Sequence, residues 1–108
     1  MTPTKVRIMG VDWSVVEDGK RAQKENVTGE TDHDNLEILL DADIPEQHKR
    51  TTLLHEIIHA IDNFTHEPKN HLEEDQVRCL TAGIYQVLRD NPILAMWLLG
   101  KEEGDTHE

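Results

Sequence analysis

The chain has 108 residues with 22 acidic and 11 basic side chains, a formal charge of -11 at pH 7. That length suits one domain with a modest core, and the charge disfavours direct binding to nucleic-acid phosphates. No stretch approaches the roughly 18 apolar residues of a membrane span, and Met1-Thr2-Pro3-Thr4-Lys5-Val6 is not followed by the apolar run of a secretory signal. The single cysteine, Cys79, cannot form an intrachain disulfide and fits a reducing cytoplasm. It falls within a predicted helix, where a packing role is expected rather than a nucleophilic one.

Lys5-Val6-Arg7-Ile8-Met9 alternates in part and predicts a strand, broken at Gly10. Val11 to Glu17 predicts a second strand or a continuation of the first. Residues 18 to 35 are polar, with Gly19, Asn26, Gly29, Asp32 and Asp34, and read as a solvated loop or hairpin region. Leu36-Glu37-Ile38-Leu39-Leu40-Asp41 is the clearest strand. It leads into a helix from about Pro45 to Phe64, with Asp43 as the expected cap and Pro45 as an early helical residue. A loop from Thr65 to Asn70 contains Pro68. A second helix is expected from about His71 to Asp90, with an apolar stripe of Val77, Leu80, Ile84, Val87 and Leu88; Asn91-Pro92 stops it. Ile93 to Gly100 predicts a short helix, either packed on the domain or forming a partner surface. The tail from Lys101 to Glu108 is charged and is expected to be disordered. Strands followed by helices make an α+β class, in one domain over residues 1–100.

His55-Glu56-Ile57-Ile58-His59 reads H-E-x-x-H. On a helix this spacing sets two imidazoles on one face, one turn apart, where both can bind one zinc ion, with a glutamate able to act on a water there. A composition this rich in His and Glu supplies the pattern by chance in roughly 5 of 100 shuffles, so the surroundings matter. Leu53, Leu54, Ile57, Ile58, Ile61 and Phe64 recur at helical spacing and build an apolar face that would anchor the helix. At about 100° per residue, His55 and His59 lie away from the centre of that face and point to a cleft or to solvent. Catalytic zinc takes three protein ligands and keeps a position open. Glu73 and Glu74 open the second helix, and either could reach back to the metal.

Thr52-Leu53-Leu54-His55-Glu56-Ile57-Ile58-His59-Ala60-Ile61-Asp62, followed by Glu74-x-x-Val77-x-x-Leu80, resembles small zincin-like metallopeptidases of the ImmA/IrrE type, especially minimal versions encoded by phages and prophages. Gly83-Ile84-Tyr85-Gln86-Val87-Leu88-Arg89-Asp90-Asn91-Pro92 is also similar to those proteins. The resemblance covers about residues 36 to 92; the N-terminal third matches only in its strand-loop-strand pattern. It implies a gluzincin-type zinc site with His55 and His59 as ligands, Glu56 as the catalytic glutamate and Glu74, ahead of Glu73, as the third ligand. It implies a hydrolase acting on a peptide or protein, in the bacterial host cytoplasm if phage-encoded. The metzincin pattern does not fit: it needs Gly at position 62 and His at 65, where this chain has Asp62 and Thr65. His66 misses that register by one and reads as a helix-end residue. Asp62 could orient a ligand or be simply solvated.

Candidate donors to a tetrahedral intermediate are His48, His66, His71 and Tyr85, the last too far from the proposed metal. Leu36 to Asp41 could be an edge strand beside the cleft and hold an extended peptide. The competing function is a zinc-stabilised binding protein that sequesters a host partner without cutting it, since a chain this small gains much from a metal that ties two helices together.

Overall fold

The computed structural model describes residues 1–101; the disorder expected for the tail concerns residues 102–108, outside the described residues. Strand β1 (Lys5–Ile8) and strand β2 (Val11–Glu17) pair antiparallel, with Ile8 opposite Val11. Met9 and Gly10 between them have φ of +50° and +82°. Positive φ at both central residues is what a two-residue hairpin turn matched to strand twist requires. The second segment is therefore a new strand, not a continuation.

The polar stretch 18–35 is not simply a loop. It forms helix α1 (Gly19–Lys24) and strand β3 (Gly29–Asp32) before β4 (Glu37–Leu40). Asp18 caps α1 by accepting from the Arg21 N–H at 3.0 Å, and Ala22 is fully buried. Strand β3 is Gly-Glu-Thr-Asp and holds its place by backbone pairing with β4. Neither element carries the apolar periodicity by which a sequence announces structure.

The sheet order is β1-β2-β4-β3, with β2 and β4 parallel and the other pairs antiparallel. The strand expected at the edge is thus an inner one. Ile38, Leu39 and Leu40 are at most 1% exposed although they alternate between faces, as expected for a strand covered on both sides. The edge beside the helices is β3.

Helix α2 (Glu46–Thr65) crosses one face of the sheet. Leu53, Ile57 and Ala60 pack on Ile8, Trp13, Val15, Ile38 and Leu40 to form the core. The apolar face predicted for this helix is only partly used: Ile58 is buried, whereas Ile61 and Phe64 are exposed. Asp43 does not cap it. Pro45 occupies the cap with no side-chain hydrogen bond, while Asp43 accepts from Gln23 Nε2 at 2.9 Å and so ties α1 to the loop before α2. Lys49 meets Glu17 at 2.9 Å and joins α2 to the end of β2; that hydrogen bond holds the Glu17 carboxyl below its usual range.

A single 3-10 turn (Pro68–Asn70) leads to helix α3 (Glu74–Asp90), then α4 (Pro92–Leu98). Helix α3 starts three residues later than expected because Glu73 caps it. The Glu73 side chain accepts from the backbone of Gln76, and Gln76 Oε1 accepts from the Glu73 N–H at 2.8 Å. Val77 and Thr81 are the buried residues of α3, facing α2. Helix α4 touches α3 but is not covered by the domain: Ile93, Trp97, Leu98 and Leu99 are exposed. Cys79 is exposed as well, contrary to the packing role expected, because it points away from the α2–α3 contact. Among the described residues, no helix is long and apolar enough to cross a membrane.

Candidate functional site

The middle of α2, the edge strand β3 and the first turns of α3 enclose an open cleft of about 1010 Å³. His55 and His59 project into it from successive turns of α2, and Glu74 meets them from the first residue of α3. His55 Nε2 lies 2.6 Å from Glu74 Oε1, His59 Nε2 lies 3.2 Å from Glu74 Oε2, and the two Nε2 atoms are 3.2 Å apart. One donor atom from each of the three residues lies within 4.8 Å of the other two. Two imidazole nitrogens and one carboxylate are a donor set suited to zinc, and three protein donors leave room for a fourth ligand. Glu73, the competing carboxylate, is occupied at the helix cap and is not part of the cluster.

Glu56 lies one residue from His55 yet is only 7% exposed. The Thr31 hydroxyl on β3 stands 2.6 Å from Glu56 Oε1 and 3.1 Å from its backbone oxygen. Burial pushes the Glu56 carboxyl above its usual range; the Thr31 hydrogen bond and the neighbouring histidines pull the other way without cancelling it. Gly29 permits this closeness. A Cβ there would stand 2.5 Å from Thr52 Cγ2 and 3.3 Å from Glu56 Oε2, so β3 could not lie so near α2 with a larger residue.

Thr31 and His33 were not singled out in the sequence, since both lie in the polar stretch with no periodic signal. Thr31 shares a side of the edge strand with Gly29, two residues before it, and His33 follows just past the end of that strand. The His33 ring stands edge-on to Trp13 with centroids 5.8 Å apart, and it lines the cleft. Among the donors considered from sequence, His48 also lines the cleft; His66, His71 and Tyr85 do not.

Asp62 neither orients a histidine of the cluster nor faces solvent. It is 5% exposed, accepts from the Leu72 N–H at 3.0 Å and meets His66 Nδ1 at 2.7 Å. It therefore ties the end of α2 to the connection that delivers Glu74. Burial would raise its pKa, but the bonds from His66 and Leu72 outweigh this and hold it below the ordinary 3.8. A carboxyl with a depressed folded pKa contributes stability that is complete above its unfolded pKa and is lost as pH falls through the folded value. Asp62→Asn should accordingly flatten the acid side of the stability profile, measured as urea midpoints of chelator-treated protein from about pH 5 to about pH 2. An unchanged acid limb would show that Asp62 carries none of it.

Comparison with protein-family models, with curated proteins and with solved structures gives no match for this chain.

Proposed function

We propose that the protein is a zincin-like, zinc-dependent metallopeptidase, with His55, His59 and Glu74 holding the metal and Glu56 moving the proton. The observation that carries this reading is the meeting of the three donors beside a buried glutamate on the wall of one cleft. The resemblance of Thr52 to Asp62 and Glu74 to Leu80 to ImmA/IrrE-type metallopeptidases points the same way and extends to a phage-encoded origin.

Zinc in such a site supplies Lewis acidity, which activates water and polarises a carbonyl oxygen. Glu56 takes the proton from the attacking water and returns it to the leaving amine. Its buried position suits that role, because a carboxyl with a raised pKa binds and releases a proton nearer neutrality. Thr31 holds the carboxylate in one orientation. The substrate is an extended peptide lying along β3, the strand at the sheet edge that lines the cleft through Gly29, Glu30 and Thr31.

A second reading rests on the sparse packing of α3, which buries only Val77 and Thr81 among the described residues. Zinc would then staple α3 to α2 in a non-catalytic protein that sequesters a partner.

Elemental analysis tests the metal assignment. The wild type should hold one zinc per chain and His55→Ala with His59→Ala should hold none. Full zinc content in the double variant would sink both readings.

A further inference from the structure

We propose that Asp62 is a positioning residue that sets how tightly zinc is held, acting on Glu74 through the backbone of Leu72; this rests on the zinc site proposed for His55, His59 and Glu74. Asp62 follows His59 by three residues on α2, and Leu72 precedes Glu74 by two. The 3.0 Å bond from the Leu72 N–H to Asp62 Oδ2 therefore joins the two helices close to the ligands that each supplies. Among the described residues it is the only hydrogen bond from residues 67–73 to α2. The 3-10 turn Pro68–Asn70 lies inside the loop that this bond closes.

Three features make that bond a fixed point. Asp62 is 5% exposed, so water competes little for its carboxylate, and a hydrogen bond to a charged group is among the stronger ones. Its other oxygen meets His66 Nδ1 at 2.7 Å, which holds the carboxylate from a second side. The residue after Leu72 is fixed as well: Glu73 and Gln76 exchange the hydrogen bonds of a capping box that sets where α3 begins. Glu74 is the first residue of that helix, so its backbone is placed from both directions. Its side chain is 49% exposed and gains little positioning from packing. A carboxylate that must be ordered as it takes an ion gives up part of the binding free energy to that ordering. One delivered on an anchored backbone loses less. Groups that orient metal ligands in this way are worth about 10–100-fold in affinity.

Zinc affinity of the full chain, measured by competition with a chromophoric chelator, tests this. Asp62→Ala should weaken zinc binding by about 10–100-fold. Asp62→Asn should stay close to the wild type, because its Oδ1 accepts from the Leu72 N–H and its Nδ2 donates to His66. A loss in Asp62→Asn as large as in Asp62→Ala would trace the effect to the charge of Asp62 and overturn the positioning role. In a Glu74→Ala background, Asp62→Ala should cost nothing further, since no third ligand is left to place. An added loss there, as general unfolding would produce, also overturns the proposal. A wild type that holds zinc while Asp62→Ala binds it equally tightly removes the role of Asp62 and leaves the zinc site standing. A wild type that binds no zinc removes both.

Discussion

Glu56→Gln is expected to keep zinc at the wild-type level and to lower peptide cleavage by about 10²–10⁴-fold, the span attributed to general acid–base catalysis. Gln preserves the length and shape of the side chain, so the packing of α2 against Thr31 and Gly29 survives. It can still pair with the Thr31 hydroxyl but cannot accept and return a proton. The substitution also removes an ionisable group from a position only 7% exposed, where burial disfavours the charged form. Compared in chelator-treated protein, its thermal midpoint should therefore be no lower than that of the wild type. The measurement is appearance of new N-termini in a peptide library by mass spectrometry, alongside zinc content. Cleavage at the wild-type rate would remove Glu56 from the mechanism. Cleavage by neither protein, with zinc retained by both, would favour the stapled binding protein.

Zinc should also raise the stability of the fold. A ligand at 100 times its Kd that binds only the folded state adds about 2.7 kcal/mol. For a domain of about 100 residues that corresponds to a rise in Tm of roughly 10–20 °C. The physical reason lies in α3. Its buried residues are Val77 and Thr81, and Glu74 is joined to α2 through His55 and His59. Each contact crosses from one helix to the other, so an ion held by all three would be lost on separation of α3 from α2. Amide exchange in α3 should slow on adding zinc more than exchange in the sheet core around Ile38 and Leu40. The shift should vanish in His59→Ala and persist in Glu56→Gln. An equal shift in both would place the ion elsewhere.

The parts of the fold that were legible share one property: each has a local signature. The break at Gly10 was readable, though not that it turns the chain into a hairpin, and Asn91-Pro92 marked the end of α3; the apolar run of β4 and the periodicity of α2 were equally plain. The elements that were missed, α1 and β3, have no apolar period. One rests on an Asp18 cap and the other on pairing supplied by β4. The same omission hid Thr31 and His33, and it misplaced the sheet edge on β4. The expected roles of Cys79 and Asp62 failed for a related reason. Helical phase says which residues share a face, but not which faces find a neighbour; Cys79 lies on an uncovered one, and Asp62 is buried by the loop that follows.

The sequence by itself determined the His55–His59 pair, because a spacing of four residues on a helix sets two side chains on one face whatever surrounds them. It also determined that Glu56 stands beside them. Only the tertiary structure decided that Glu74 and not Glu73 meets the pair, a contact spanning 19 residues, and that Thr31 holds Glu56, spanning 25. Such contacts depend on how the Asp62-anchored connection turns α3 back along α2 and on where β4 seats its edge partner. Those are properties of the chain path, which no local periodicity encodes.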